Sequence, residues 1–215
     1  MNSRTMNSHI VKNGDIGDKN VLTDGTVAAC HSLYRRAKLL AASDNETYRE
    51  IVEFRQNEYK DLYPEVTLNE VDVHDRQSVI LYTRDNAGKI SSTARLAMDG
   101  KSGLPEETIL RPILAQRGIT GNFAEIGRFI IHRRASSAEL LKSYYRAFYH
   151  IAVAMDVSAY LLVARRKEIA FYQKRVNAQL LCDDIGTSFG SIDHRFCVLI
   201  WPIAQTGNGL LDWIH

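Results

Sequence analysis

The chain has 215 residues, of which 45% are hydrophobic and 24% are charged, so it is long enough for one sizeable domain and too apolar to be disordered throughout. Its formal net charge of +2 is too small to indicate nucleic-acid binding by itself, and an acidic partner would need a local basic patch. Its three cysteines, Cys30, Cys182 and Cys197, show no CxxC spacing, which favours buried, inert thiols in a reducing compartment over a disulfide framework.

The sequence shows no pattern typical of a secretory signal, a membrane span or a histidine metal site. The first twenty residues contain no apolar core of a secretory signal, and nowhere do eighteen apolar residues follow one another, so we expect neither export nor a membrane span. The histidines form no HxH or HExxH pair, so we expect no metal site and no bound cofactor. The expected location is therefore the cytoplasm.

The N-terminal third of the chain is predicted to be a tail followed by helices. Residues 1–25 are rich in Asn, Asp, Gly and Ser and predict a flexible tail, which precedes one domain over residues 26–215. Apolar residues at helical spacing predict a first helix over residues 27–42. The series Ser-Asp-Asn-Glu at 43–46 has the pattern of a capping box and predicts a second helix to about residue 59. The residues predicted to share one face of this second helix are Ile51, Phe54, Arg55, Glu58 and Tyr59.

The rest of the chain predicts a sheet with helical connections. Residues 78–83 and 90–98 are rich in β-branched residues and flank an Asp-Asn-Ala-Gly turn, which predicts a β-hairpin. A strand over 123–132, a helix over 138–155 and a strand over 159–164 predict one parallel pair with a helical crossover. The further predicted elements are helices over 108–116 and 167–177 and strands over 179–184 and 195–202. This order predicts an α+β fold with a mostly antiparallel sheet.

Charged side chains interrupt the apolar strands, which is unusual because Glu and Arg are rarely buried unless they are paired. Arg95 lies within one predicted strand, and Glu125 and Arg128 lie within another, with Gly127 between them. A glycine inside a strand often marks a bulge or the close approach of a ligand. A structural ion pair is the alternative interpretation for each of these charged residues.

The charged residues also occur in an order that resembles known acyltransferases. The matching residues, over about 46–165, are Arg55 and Tyr59, then the acidic series Glu70, Asp72 and Asp75, then Arg95-Leu96, then Glu125 and Arg128-Phe129. This order resembles the acyl-homoserine lactone synthases. The gap from Arg55 to the acidic series is shorter, however, and Tyr63-Pro64 stands in the neighbourhood where those synthases have a tryptophan. The chain therefore resembles more closely the related long-chain N-acyl amino acid synthases. A solvated acidic loop is the alternative for the acidic series.

The resemblance implies a fold, a reaction and substrates. The implied fold is the GNAT-like acyltransferase fold, in which the strands of the parallel pair splay apart. The implied reaction moves a long-chain fatty acyl group from acyl carrier protein to the α-amine of an amino acid, and tyrosine is the acceptor that the resemblance implies. The phosphopantetheine thioester of the carrier protein is then the donor substrate.

The segment before the long helix bears on the donor. GNAT enzymes that use CoA have a glycine-rich loop here, whose backbone N–H groups hold a pyrophosphate. Residues 132–138 read His-Arg-Arg-Ala-Ser-Ser-Ala and contain no glycine, which favours the carrier protein as donor. The residues predicted to bind this acidic partner are Arg133, Arg134, Lys142 and Arg146. An ordinary solvated helix start is the alternative.

The expected mechanism is direct attack of the amine on the thioester. Glu125 is the predicted general base, and the backbone N–H groups of Phe129, Ile130 and Ile131 are the predicted oxyanion donors. The substrate-binding candidates are Arg55, Tyr59, Arg95 and Arg128, because guanidinium groups bind carboxylates in bidentate fashion.

The acyl chain is expected to bind among apolar residues that flank the parallel pair. The predicted lining residues are Ile131, Phe148, Met155, Tyr160 and Leu162, and ordinary core packing is the alternative for each. Three other functions stay open from the sequence. They are an acyl-homoserine lactone synthase that uses S-adenosylmethionine, a CoA-dependent N-acetyltransferase and a non-catalytic module that binds acyl carrier protein.

Overall fold

The computed structural model describes residues 39–62, 72–186 and 195–214, which form one seven-stranded sheet with helices on both faces. The strands are β1 (Leu40–Ala41), β2 (Ser78–Arg84), β3 (Ile90–Met98), β4 (Phe123–Ile131), β5 (Ala159–Arg165), β6 (Gln179–Cys182) and β7 (Phe196–Pro202). The helices are α1 (Asn45–Leu62), α2 (Glu107–Gln116), α3 (Ala138–Ala154), α4 (Ile169–Val176) and α5 (Asn208–Ile214). Short 3₁₀ turns cover Val73–Gln77, Arg166–Glu168 and Ile203–Gln205.

The strand order is β1-β2-β3-β4-β5-β7-β6, and the pairing confirms the predicted α+β class. Strand β4 pairs with β5 in parallel, and every other neighbouring pair is antiparallel. Helix α3 connects the two parallel strands, because parallel neighbours need a crossover. The predicted hairpin is present, since β2 and β3 pair from Ser78↔Ala97 to Arg84↔Ile90.

The two faces of the sheet differ in how they are covered. Alternate residues of the strands form one continuous core with α3, α4 and α5, which includes Leu81, Leu96, Ile126, Leu162 and Trp201. The opposite face carries two separate apolar clusters. One cluster lies under α1, and the other lies under α2. The strip of sheet between α1 and α2 is therefore free to carry polar residues.

The start of the described chain departs from the predicted first helix over residues 27–42. Residues 27–38 lie outside the described part, as do the predicted tail and Cys30, but Leu40 and Ala41 form strand β1 and pair with Tyr82 and Leu81. The prediction was wrong here because a short apolar run suits an edge strand as well as a helix, and pairing with β2 decides between them.

The second predicted helix is confirmed, with a cap shifted by one residue. The carboxylate of Asp44, rather than the hydroxyl of Ser43, accepts hydrogen bonds from the Thr47 backbone N–H at 2.7 Å and from the Thr47 hydroxyl at 2.9 Å. The predicted shared face is also present, since Ile51 and Arg55 are buried one turn apart.

Helix α5 was not predicted from the sequence. It has only seven residues, too few to show a clear helical period, and it is held by contacts made in the folded protein. Leu210 and Ile214 are buried in the main core, and the Arg146 guanidinium of α3 binds the Ile214 carbonyl.

Within the described residues, Cys182 and Cys197 carry free thiols. Cys197 is fully buried, and burial raises the pKa of its thiol to about 11, as expected for an inert structural residue. Among the helices in the part of the chain that the structure describes, none is long and apolar enough to cross a membrane.

Candidate active site

The parallel strands β4 and β5 separate at their carboxyl ends. Their paired residues run from Phe123↔Ala159 to Ile126↔Leu162, whereas β5 continues against β7 as far as Arg165. The main-chain groups of residues 127–131 that face β5 therefore lie outside the sheet ladder. The predicted oxyanion donors Phe129, Ile130 and Ile131 belong to this segment, and their catalytic role stays a prediction.

A β-bulge lies at the same point of β4. Thr93 pairs with Ile130 and Arg95 pairs with Gly127, so two residues of β4, Arg128 and Phe129, lie opposite the single residue between Thr93 and Arg95. Arg128 adopts a left-handed φ of 49°, which is uncommon for a residue other than glycine.

The extra residue in the bulge reverses the alternation of side chains along β4, so that Phe129 faces α3 and Arg128 faces the opposite side of the sheet. Phe129 packs against Tyr144 of α3, with ring centroids 4.9 Å apart. Arg128 instead contacts the acidic segment before β2, where its Nη2 lies 3.2 Å from the Asp72 carboxylate. The arginine therefore reaches the polar strip between α1 and α2.

An ionic cluster occupies this polar strip. Asp75 binds Arg55 at 2.7 Å and Arg95 at 3.2 Å, and Asp72 binds Arg95 and Arg128. Of the predicted acidic series, these two aspartates are therefore paired, which argues against a merely solvated loop, while Glu70 lies outside the described residues. Although burial acts to raise it, the charges of Arg95 and Arg128 lower the pKa of Asp72 to about 2.

Tyr59 and Tyr48 border the cluster from helix α1. The Arg128 guanidinium lies 5.5 Å from the centre of the Tyr59 ring, which gives a cation–π contact. The Tyr48 hydroxyl donates to the Asp75 carboxylate at 3.0 Å. The structure thus brings Arg55, Tyr59, Arg95 and Arg128 together, as the sequence predicts, and adds Tyr48, whose only sequence signal is its position two turns before Arg55 on the same helix.

Several guanidinium N–H groups in the cluster have no acceptor among the described residues. These buried groups are Arg55 Nε, Arg55 Nη2 and Arg95 Nε. A buried donor without an acceptor is costly, and one attached to a cation more so. The aspartates therefore leave part of the binding capacity of the arginines unused, as expected of a site that receives an anionic ligand.

Exposure distinguishes the three arginines. The side chains of Arg55 and Arg95 are 4% and 3% exposed, whereas that of Arg128 is 27% exposed. Arg128 also has a single aspartate partner, while Arg95 has two. Arg128 is therefore the arginine that a dissolved carboxylate can reach with the least rearrangement.

Glu125 lies beside the cluster but forms no ion pair with a described residue. Its side chain accepts a hydrogen bond from the backbone N–H of Glu106 at 3.1 Å, and the residue is 4% exposed. Burial raises the pKa of Glu125 to about 7, and the negative charge of Glu106 adds to the increase, while the Glu106 backbone N–H, Arg95 and Arg128 oppose it. A carboxylate with a pKa near 7 is matched to proton abstraction at neutral pH.

Gly127 lies where the Glu125 carboxylate and the Arg95 guanidinium come close together. A Cβ atom at this position would lie 3.4 Å from Glu125 Oε1 and 3.5 Å from Arg95 Nη2. The absence of a side chain at Gly127 therefore lets both groups lie close to the backbone of β4 and to each other.

Sequence reasoning missed a second acid, Glu106, at the start of α2. Its side chain is partly buried, and it makes no capping hydrogen bond to its own helix. Burial raises the pKa of Glu106, and the charges of Arg128 and Arg95 act against that increase. The only signal in the sequence is its position directly after Pro105, which says nothing about contact with Glu125.

The residues predicted to line an acyl pocket lie on the α3 face of the sheet. Phe148, Tyr160 and Leu162 are buried in the main core, and Met155 and Ile131 are partly buried against it. The Tyr160 hydroxyl donates to the Phe148 carbonyl at 2.8 Å. Ile131 and Leu162 lie near the divergence of β4 and β5, whereas Tyr160 lies within the parallel ladder and Met155 lies at the end of α3. Contact with an acyl chain stays a prediction.

The predicted carrier-binding residues lie at and beyond the start of α3. Arg133 and Arg134 are exposed, Lys142 pairs with Glu139 at 3.2 Å, and Arg146 binds the end of α5. Two of the four cations are thus already engaged within the chain. In the described ranges, no group of three His, Cys, Asp or Glu side chains is arranged to hold a metal ion.

Comparison with known proteins relates this geometry to acyltransferases. A family model described as "N-acyl amino acid synthase FeeM" matches residues 30–186. No curated protein sequence matches the chain.

Solved structures with similar folds include FeeM itself and two acyl-homoserine lactone synthases. FeeM, an N-acyl amino acid synthase from uncultured soil microbes, is 14% identical, with a TM-score of 0.63 over 80% of this chain and 98% of its own. The lactone synthase LasI is 13% identical, with a TM-score of 0.62 over 81% of this chain and 95% of its own. The CoA-dependent lactone synthase BjaI is 15% identical, with a TM-score of 0.61 over 82% and 87%. These similarities confirm the predicted GNAT-like fold.

Proposed function

Since the chain belongs to the FeeM family of N-acyl amino acid synthases, we propose that it transfers a long-chain acyl group from acyl carrier protein to the α-amine of an amino acid, with tyrosine as the acceptor. Membership of this family shows that the chain is an N-acyltransferase. The observation that supports the finer proposal is Glu125, a buried carboxylate with a pKa of about 7, beside an arginine cluster with unused donors.

The amino acid binds as a zwitterion in the polar strip between α1 and α2. Its carboxylate pairs with Arg128, which is the most exposed of the three arginines, and the N–H groups of Arg95 that face Gly127 lie nearby. Its ammonium group then lies toward Glu125, which comes close to Arg95 at Gly127. Arg55 is buried against Asp75 and acts by holding the acidic segment in place.

The transfer proceeds by proton removal, attack on the thioester and collapse of the tetrahedral adduct. Glu125 takes one proton from the ammonium group, because an α-amine is largely protonated at pH 7 and cannot attack until it loses that proton. The nitrogen lone pair then attacks the thioester carbonyl carbon, a C–N bond forms, and an electron pair moves to the carbonyl oxygen. Backbone N–H groups of β4 beyond the bulge are the proposed donors to this oxyanion.

Collapse of the tetrahedral adduct completes the reaction. The C–S bond breaks, the carrier thiolate leaves, and the nitrogen gives its second proton to that thiolate. Glu125 returns its proton to solvent. This sequence balances without a nucleophile from the chain, so no acyl-enzyme is expected.

The start of α3 supports the carrier protein as donor. The Ala135 N–H donates to the His132 carbonyl at 2.9 Å, the Arg134 N–H donates to the His132 ring at 3.2 Å, and Ser137 caps the Leu140 N–H at 3.1 Å. Three backbone donors near the start of α3 are thus used within the chain. Exposed Arg133 and Arg134 suit an acidic protein surface instead. A carrier-bound donor would place the reaction in the cytoplasm.

Mass spectrometry of lipid extracts tests the proposal. Cells that express the parent chain should accumulate N-acyl amino acids, with N-acyl-tyrosines foremost, and cells that express Glu125→Gln should not. Acyl-homoserine lactones in the extract would instead indicate that the acceptor is S-adenosylmethionine. Extracts identical to those of cells without the gene would contradict the proposal.

A further inference from the structure

The two acids Glu106 and Glu125 lie against each other at the edge of the acceptor site. The backbone N–H of Glu106 donates to Glu125 Oε2, so the start of helix α2 is joined to the middle of strand β4. Only the main chain of Glu106 takes part in this hydrogen bond, and the Glu106 carboxylate does not.

The Glu106 carboxylate makes no hydrogen bond or ion pair with another described residue. It stands at the N-cap position of α2, where a side-chain oxygen usually accepts a backbone N–H of its own helix, yet no such bond forms. It is partly buried, so solvent does not fully compensate it. An acid held in this way is suited to bind a cation.

The charges around the pair define where that cation would lie. Arg95 of β3 and Arg128 of β4 act on both glutamates, and Asp72 from the segment before β2 acts on Glu106. The arginines are partly neutralised by Asp72 and Asp75. The side of the site toward α2 is therefore its acidic side, and the unused N–H groups of Arg55 and Arg95 independently mark the other side as the place of an anion.

We propose that Glu106 binds the α-ammonium group of the acceptor amino acid and holds it against Glu125. Two carboxylates share the cationic group in the ground state, and the proton passes to Glu125, which lies close to Arg95 at Gly127. Glu106 remains charged and keeps the nitrogen in position as its proton leaves. This inference rests on the proposed function, because it assumes that an amino acid is the acceptor.

The test compares Glu106→Gln with Glu107→Gln. The first variant keeps the backbone N–H that binds Glu125. The second removes the same charge from the next residue, which is paired with Arg111 in an exposed helix-surface contact. With tyrosine as acceptor, Glu106→Gln should raise the KM for tyrosine about tenfold and leave the KM for the acyl donor unchanged, since a charge-assisted hydrogen bond is lost. Glu107→Gln should change neither constant.

Two further readouts separate ammonium binding from a structural role. The inhibition constant of 3-(4-hydroxyphenyl)propanoate, which lacks the amine, should be the same for the parent chain and Glu106→Gln. The rising limb of the pH profile should move to lower pH in Glu106→Gln, because loss of the negative charge lowers the pKa of Glu125. Glu106→Asp, which keeps the charge, should recover part of the affinity for tyrosine.

The outcomes also separate this inference from the function on which it rests. A parent chain that acylates tyrosine, with an unchanged KM in Glu106→Gln, would overturn the role of Glu106 alone. Equal weakening of tyrosine and of its deaminated analogue would do the same and would make Glu106 a structural residue. A parent chain that acylates no amino acid would overturn the proposed function and this inference together.

Discussion

Arg55 and Arg128 bind the same acidic segment, yet they differ in what a substrate can reach. Arg55 is buried against Asp75, and Arg128 stands at a bulge with about a quarter of its side chain exposed. A buried ion pair fixes structure, because removal of one partner leaves the other charge unpaired. A partly exposed guanidinium can exchange its partner for a ligand. The two arginines are therefore expected to respond differently to substitution.

Arg128→Lys keeps the charge but loses the planar fork that holds a carboxylate with two hydrogen bonds. We expect the KM for the amino acid to rise about tenfold, the KM for the acyl donor to stay constant and the melting temperature to change little. An amino acid amide should be equally poor for variant and parent. A large loss of stability without a change in the KM would place Arg128 among the structural residues.

Arg55→Met is the contrasting variant. It leaves the Asp75 carboxylate with the longer ion pair to Arg95 and the hydrogen bond from Tyr48, so we expect a loss of about 3–5 kcal/mol in the free energy of unfolding. Thermal melting should show the loss whether or not substrate is present. Unchanged melting with a raised KM for the amino acid would instead make Arg55 the carboxylate clamp.

Glu125→Gln removes the proposed base and keeps an oxygen that accepts the Glu106 N–H. Transfer should slow by about 10²–10⁴-fold, the usual contribution of a general base. In the parent chain, activity should rise with pH through about 7, because the ionised form of Glu125 is the base. Glu53→Gln, an exposed change on α1, serves as the control and should be fully active. Near-normal turnover by Glu125→Gln would remove Glu125 from the base role.

At the scale of single residues, the sequence predicted the charges that interrupt apolar strands and missed those that meet through the fold. Arg95, Glu125 and Arg128 were recognisable because strand interiors rarely hold such residues. Glu106 has no comparable signal, since its contact with Glu125 joins a loop to a strand nineteen positions away. Pairing between distant segments cannot be read from local pattern.

At the scale of elements, the candidate site depends on the bulge in β4 and on the divergence of β4 from β5. The bulge turns Arg128 toward the acidic segment, and the divergence frees main-chain groups beyond Ile126. Strands with clear alternation were predicted closely, and β3 was predicted with the bounds observed. The two-residue strand β1 and the seven-residue helix α5 were not predicted, because tertiary contacts rather than local periodicity hold them. Gly127 indicated a bulge in the sequence, but the pairing register of β3 and β4, which sets the position of the bulge, could not be predicted.

The start of helix α3 allows a test of the donor. Arg133→Glu with Arg134→Glu should weaken use of acyl carrier protein by at least tenfold and leave use of a small acyl thioester nearly unchanged, because rim charges act on association with a large charged partner. The effect should diminish as salt is added. The control pair is Lys101→Glu with Lys174→Glu. Both lysines are exposed, the first beyond the opposite end of β4 and the second in the last turn of α4. Equal losses with both donors would assign Arg133 and Arg134 to the fold or the acyl pocket.

At the scale of the whole molecule, one sheet serves two purposes. Its α3 face is a continuous apolar core that stabilises the protein, and its other face is interrupted by a polar strip that holds the proposed catalytic residues. The fold class and the one parallel pair followed from the order of elements in the sequence. The difference between the apolar face and the face with the polar strip could not be predicted, because it depends on which segments pack over which strands.

The polar strip should make stability depend on pH in opposite directions. The folded pKa of Glu125, about 7, lies above its ordinary value of 4.5, so its contribution is fully present below pH 4.5 and is lost as the pH rises through 7. The melting temperature of Glu125→Gln should therefore equal that of the parent chain near pH 4.5 and exceed it at pH 8. Asp72, with a pKa lowered to about 2, contributes stability above pH 4 that is lost as the pH falls toward 2. A parent chain more stable than Glu125→Gln at pH 8 would contradict the burial argument.

The most direct test of the account is reconstitution of the reaction from purified parts. The chain is mixed with acyl carrier protein that bears a dodecanoyl thioester and with all twenty amino acids, and the mixture is followed by mass spectrometry and by the release of free carrier thiol. We expect thiol release matched one for one by N-dodecanoyl amino acids, foremost N-dodecanoyl-tyrosine, with both signals lost in Glu125→Gln. Thiol release without an N-acyl amino acid, or a carrier that binds but keeps its acyl group, would contradict it.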